Sequence, residues 1–270
     1  MKIEINGCSI HYRIIGEGKP VLCLHGFPED HEVMVGCLEP VFRQVEGYQR
    51  IYLDLPGMGR STAGEDVSCA DNMLKLIQDF VHQVIGSQKF LLVGQSYGGY
   101  LSLGLTYSNS NAMEGLFLLC PCTVADRNKR NLPTKQLLER SKALVPTDAE
   151  KEKFSDFLEM AVIATEATWM RYKQEIFSGL ERADEAFVTT YQKTGYELSF
   201  ESEFEALVFD KPTMILTGRQ DDCVGYQDAF RLMDSFSRGS FQVLDKAGHN
   251  LQIEQPALFS EAFSRWLRHF

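Results

Sequence analysis

The sequence predicts an α/β fold: a mostly parallel sheet with helices on both faces and a helical cap inserted between two late strands. Three observations predict it. Short apolar runs (PVLCLHGF, RIYLDL, KFLLVG, GLFLLC, PTMILTG) alternate with stretches of helical spacing. The first fifteen residues read as a hairpin, which gives the sheet an antiparallel edge. The stretch from residue 122 to 209 contains no convincing strand.

The hairpin joins IEI to SIHYRII through Asn6-Gly7, a strong short-turn signal. PVLCL is the third strand and ends at His25-Gly26. RIYLDL is the fourth and closes in the turn Pro56-Gly57-Met58-Gly59. A helix from about Ala70 to Ile85 carries Met73, Leu76, Ile77, Phe80, Val81 and Val84 at three- and four-residue spacing. KFLLVGQS follows as a strand, then a helix from Gly98 to about Tyr107, then the strand GLFLLC. Within 122–209, Thr147 and Glu150 form a capping box, and Phe154, Phe157, Leu158, Ala161 and Val162 follow it as a helical stripe. Further helical patterns cover about Glu166 to Leu180 and Asp184 to Lys193. Strand-like sequence resumes in PTMILTGRQD and SFQVLDKAGH, and a helix from about Pro256 to His269 ends the chain. Residues 1–121 and 210–270 therefore read as the core. Residues 122–209 read as a cap over the strand C-termini, where open α/β sheets bind ligands.

Composition narrows the function classes. Lys and Arg number 27 against 37 Asp and Glu, a formal charge of −10, which speaks against nucleic acid as a partner. The densest basic patch, Arg127, Lys129 and Arg130, reads as a solvated loop. The seven cysteines are odd in number and scattered, in a chain too large to need disulfide staples. Cys120 and Cys122 lack zinc-site spacing. The N-terminus shows no signal-peptide core, and the longest apolar runs are too short to span a bilayer. The expectation is a cytoplasmic protein with reduced structural thiols, no membrane partner and a small-molecule substrate.

The chemistry centres on Gly94-Gln95-Ser96-Tyr97-Gly98, a G-x-S-x-G element between a predicted strand and a predicted helix. Such a turn exposes the serine oxygen and needs small neighbours where its backbone crosses adjoining elements. Serine requires a base at neutral pH. His249, in the loop after the last strand, is the best placed of six histidines. His11, His82 and His269 read as structural or exposed, and no orienting carboxylate is legible for His31. The base requires an acid to fix its tautomer. Asp221 and Asp222 both end the preceding strand, whereas Asp245 reads as a solvent-facing turn residue. Two backbone N–H groups should hold the developing oxyanion. They are Tyr97, directly after the nucleophile, and Phe27, in the His25-Gly26-Phe27-Pro28 loop after the third strand. His25 braces that loop.

HGFP, DLPGMGRS, GQSYGG, GRQD and GHN, in this order and spacing, make the chain resemble the α/β-hydrolase family, specifically members with a helical cap. The resemblance covers nearly the whole chain. It implies that the acid is the fourth residue of G-x-x-D, Asp221, and that Asp54 to Ser61 form a structural turn in which Asp54 bonds local backbone. Family dehalogenases and epoxide hydrolases carry an aspartate where Ser96 stands, and proline iminopeptidases usually carry a tryptophan at the position of Tyr97; both readings are disfavoured. The expectation is a carboxylesterase-like serine hydrolase of a small ester or thioester, with an acyl-enzyme intermediate and no metal or organic cofactor. Phe154, Phe157, Met160, Trp169, Met170, Tyr172 and Phe177 make the cap rich in large residues; most, at helical spacing, read as core, and some as the lining of a pocket for a substrate with an apolar acyl or alkyl part. The alternatives are a C–C bond hydrolase using the same triad and a ligand-binding receptor or pseudoenzyme that keeps the pocket.

Overall fold

A computed structural model describes residues 1–270. β1 (Lys2–Ile5) and β2 (Cys8–Ile15) form the expected hairpin. β3 (Lys19–Leu24) leads to α1 (Glu32–Phe42), β4 (Tyr48–Leu53) and α2 (Ala70–Val84). β5 (Phe90–Gln95), α3 (Tyr97–Asn109) and β6 (Met113–Leu119) follow. Next come the short β7 (Glu139–Arg140), α4 (Lys151–Met160), β8 (Ile163–Ala164), α5 (Glu166–Tyr172), α6 (Ser178–Leu180) and α7 (Glu185–Thr194). The chain closes with β9 (Thr213–Gly218), α8 (Gln227–Arg231), β10 (Gly239–Leu244), α9 (Leu251–Glu254) and α10 (Pro256–Leu267).

The main sheet has eight strands in the order β1-β2-β4-β3-β5-β6-β9-β10. All pairs from β4 to β10 are parallel, and β2 joins β4 antiparallel. The central strands are buried along almost their whole length, as covering by helices on both faces requires. α1 packs on α10, and α2 packs on α3. The chain steps from β3 to β4 on one side and returns to β5 on the other. This reversal opens a crevice at the C-terminal ends of β3 and β5, the position where open α/β sheets bind ligands. The loops after β3 and β5 therefore face each other although they lie about seventy residues apart in sequence.

The structure corrects several local expectations. The segment 122–209 does contain strand: β7 and β8 pair in parallel over two residues each. Runs this short leave no periodicity to read. α1 leaves no clear helical signal in the sequence, because Gly36 and Pro40 interrupt its pattern. α4 ends at Met160, so Ala161 and Val162 are not helical. Ala161 is extended (φ −70°, ψ 139°), and the Val162 N–H donates to Glu254 Oε1 at 2.6 Å. The Thr147–Glu150 capping box is present ahead of α4. Phe154, Phe157 and Trp169 pack on one another, with ring centroids 5.2–5.9 Å apart, whereas Met170 is exposed.

Candidate active site

Ser96 sits between β5 and α3 with φ +52° and ψ −117°. This is a left-handed conformation that costs a non-glycine residue about 1–3 kcal/mol and persists only where packing over-determines it. The packing is visible at Gly98, where an added Cβ would lie 2.2 Å from Leu24 O and 2.5 Å from His25 O. Glycine lets α3 begin against the end of β3. The same close approach recurs from the facing loop: a Cβ at Gly26 would come within 3.0 Å of Ser96 Cβ and 2.3 Å of Gln95 Oε1.

The loop after β10 brings His249 to this point, and the loop after β9 brings Asp221. His249 Nε2 lies 2.9 Å from Ser96 Oγ, and His249 Nδ1 lies 3.0 Å from Asp221 Oδ2. These partners set the tautomer: Nδ1–H donates to the carboxylate, and Nε2 accepts from the serine hydroxyl. Asp221 Oδ1 also accepts the N–H groups of Cys223 and Val224, each at 3.0 Å. Burial opposes the Asp221 charge, but His249 and these two N–H groups outweigh it and hold the pKa below the usual carboxylate range. Burial likewise opposes the imidazolium of His249. The Cys223 sulfur when ionised, Asp221 and Glu29 act the other way, and the pKa is raised above the ordinary 6.5.

Asp222, the other carboxylate considered, makes no hydrogen bond or ion pair with His249; its carbonyl accepts from Arg127 at 3.3 Å. Asp245 is exposed and accepts from Gln220 Nε2 at 2.8 Å. His25 braces its loop, donating from Nδ1 to Gly26 O at 2.7 Å and accepting the Leu55 N–H on Nε2 at 2.9 Å. The Phe27 N–H bonds no other backbone group. That of Tyr97 is the first of α3, where no intrahelical acceptor precedes it. Tyr97 also has a side-chain role that the sequence did not suggest. Its hydroxyl is 2.6 Å from that of Tyr191 on α7, and its ring stacks on Tyr196 at 4.1 Å.

Two further expectations are corrected. His31 does have an orienting carboxylate: Asp54 Oδ1 lies 2.7 Å from His31 Nδ1 and accepts the His31 N–H at 2.9 Å. Asp54 thus does more than bond local backbone, since Oδ2 accepts the Arg60 N–H at 3.0 Å and meets His11 Nδ1 at 2.9 Å. His11, His31 and Asp54 have the composition of a metal site. The four donors fill the acceptor positions of Asp54, so the cluster acts as a buried hydrogen-bond junction. The basic stretch is not simply a solvated loop either. Arg127 and Arg130 line the same cavity as Ser96 and His249, and Arg130 is half-buried.

That cavity measures about 610 Å³. Phe27, Glu29 and Asn250 line it from the core, and Met160, Tyr172, Ile176, Leu180 and Tyr196 from the segment after β6. Sequence reasoning missed Glu29 and Glu254. Glu29 is buried, and its Oε2 has no hydrogen-bond partner. Glu254 accepts the Gly248 N–H at 2.6 Å, beside His249, and the Val162 N–H at 2.6 Å. It ties the histidine loop to the segment after β6. Neither residue has a local signal, because its role comes from partners distant in the chain.

The α/β hydrolase fold family matches the chain over residues 19–256. A solved α/β superfamily hydrolase from Oenococcus oeni PSU-1 superposes with a TM-score of 0.91 at 34% identity, over 99% of this chain and 98% of that one. Monoacylglycerol lipase ABHD6 from Bos taurus is 25% identical over 89% of this chain and 73% of its own length. 2-Hydroxymuconate semialdehyde hydrolase from Pseudomonas putida is 24% identical over 94% of this chain and 88% of its own length.

Proposed function

The chain belongs to the α/β-hydrolase family, and within it we propose a serine hydrolase that cleaves a small carboxylic ester or thioester. One observation carries this reading: the continuous Ser96–His249–Asp221 contact, at 2.9 and 3.0 Å, with Ser96 held at a positive φ.

The proposed steps use these contacts. Ser96 Oγ attacks the substrate carbonyl as its proton passes to His249 Nε2. Asp221, fixed by two backbone N–H groups, holds the imidazole in the required tautomer and stabilises the imidazolium. The Phe27 and Tyr97 N–H groups hold the oxyanion, each contributing about 2.7–4 kcal/mol to the transition state. The tetrahedral intermediate collapses, the leaving alkoxide or thiolate takes the proton from His249, and an acyl-enzyme remains. Water attacks the acyl carbonyl as its proton passes to His249. Collapse of the second intermediate returns the proton to Ser96 and releases the acid. The segment 122–209 acts as a cap between the core pieces 1–121 and 210–270, closing the cavity with both apolar side chains, such as Met160, Ile176 and Leu180, and charged ones, such as Arg127 and Arg130. All seven cysteines are free thiols, which suits a reducing, cytoplasmic setting. No helix is long and apolar enough to cross a membrane.

A fluorophosphonate probe tests the reading. Labelling at Ser96 that is abolished by Ser96→Ala supports it; folded protein that labels nowhere refutes it. A C–C bond hydrolase using the same triad is the second reading, favoured by the likeness to 2-hydroxymuconate semialdehyde hydrolase. Rapid cleavage of a ring-fission product with negligible ester turnover would select it.

A further inference from the structure

The cavity wall beside Ser96 carries an arginine with no counter-ion. Arg130 is half-buried, and neutral acceptors alone hold its guanidinium. Nε donates to Val124 O at 2.7 Å, Nη1 to Cys223 O at 3.0 Å, and Nη2 to Ala125 O at 2.8 Å and Cys122 Sγ at 3.3 Å. A guanidinium offers five N–H donors. Four are engaged here, and the fifth, on Nη1, has no protein acceptor. Withdrawing a cation from water without pairing it is costly. A fixed, partly desolvated guanidinium with a free donor is built for a carboxylate or phosphate.

Its position relates it to the chemistry. The Cys122 N–H donates to Ser96 O at 3.0 Å, and the Cys223 N–H donates to Asp221 Oδ1 at 3.0 Å. Arg130 bonds both of these residues, so it spans the supports of nucleophile and acid. Arg127 and Lys193, both exposed, line the same cavity. Of the acidic residues lining it, Asp126 pairs with Lys129 at 3.7 Å, Glu197 is exposed, and Glu29 belongs to the loop after β3.

We propose that Arg130 is an anion subsite, and that the preferred substrates are compact esters or thioesters carrying a carboxylate a few bonds from the scissile carbonyl, such as half-esters of short dicarboxylic acids. This rests on the serine-hydrolase reading and narrows its substrate class. The competing account is that Arg130 only clamps the acid loop through Cys223.

The full-length enzyme is assayed with monoethyl succinate and with ethyl pentanoate, a neutral ester of similar length. The wild type should favour the half-ester in kcat/KM by about tenfold or more, the effect of one charge-assisted hydrogen bond. Arg130→Gln should lower that preference by a similar factor, mainly through KM, and Arg130→Lys should regain part of it. A wild type with no preference, or a variant that loses both substrates equally, overturns the proposal. Inhibition of p-nitrophenyl acetate hydrolysis by succinate needs no variant and covers the case in which Arg130→Gln does not fold. Competitive inhibition supports the subsite, and its absence counts against it. Fluorophosphonate labelling in the same samples separates the two levels. Labelled enzyme without half-ester preference refutes the subsite alone, whereas unlabelled enzyme refutes the reading beneath it.

Discussion

Replacing Glu29 by glutamine probes a buried carboxyl that the proposed mechanism does not use. Glu29 is 7% exposed, its Oε2 lacks a partner, and it lines the cavity with His249. Burial is the main cause that raises its pKa from 4.5 to about 7; His249 lowers it, Asp30 raises it, and the Gly26 backbone lowers it. A carboxyl whose pKa is higher in the folded state binds its proton more tightly there. Its contribution is therefore fully present below the unfolded pKa and is lost as pH rises to the folded one. The interval from 4.5 to about 7, at about 1.36 kcal/mol per pH unit, amounts to roughly 3 kcal/mol. Glutamine keeps the shape without the charge. Glu29→Gln should therefore match the wild type near pH 4 and exceed it by roughly 3 kcal/mol near pH 8. For a chain of this size that is a rise in Tm of about 5–10 °C. Thermal unfolding followed by circular dichroism at both pH values measures it. A Tm difference equal at both pH values, or absent near pH 8, refutes the reasoning. The substitution also removes one of the groups that raise His249, so the ascending limb of the kcat/KM profile should move to lower pH.

Asp221→Asn should lower kcat by about 10⁴-fold, the effect of a wrong histidine tautomer, and Asp222→Asn far less; steady-state kinetics compares them, and the reverse ranking moves the acid to Asp222. Gly98→Ala should abolish both activity and labelling of Ser96, because the new methyl meets backbone oxygens of β3 and the next residue that cannot yield; a soluble variant that labels at the wild-type rate contradicts this. Asp54→Asn should cost about 3–5 kcal/mol in urea unfolding near neutral pH, because it breaks a buried charged junction. His31, His25 and backbone donors overcome the burial that would raise the Asp54 pKa, so it lies below the ordinary 3.8 and the carboxylate contributes stability above that value. The deficit of the variant should narrow as pH falls below about 3.8, and a deficit independent of pH counts against the junction.

Local patterns made much of this protein legible before any coordinates. Apolar runs of strand length, the Asn6-Gly7 turn and the glycines around Ser96 each follow from short-range sterics, which act between residues close in sequence. The order Ser96, Asp221, His249 could also be read, because each residue ends or follows a recognisable strand. What the sequence did not reveal depends on partners brought together from afar. Asp54 meets His31 across 23 residues and His11 across 43, and Glu254 meets Val162 across 92. Arg130 looked like one charge in a basic loop until the fold set it between Cys122 and Cys223. By itself, then, the sequence determined the strands of the eight-stranded sheet, the strained serine turn and the roster of reactive side chains. Only the tertiary structure decided the strand order that puts β5 beside β3, and that Glu29 and Arg130 face the cavity half-buried or buried without counter-ions. The physical reason is that strand order and burial arise from packing of the whole chain, whereas turns and periodicity arise from its neighbouring residues.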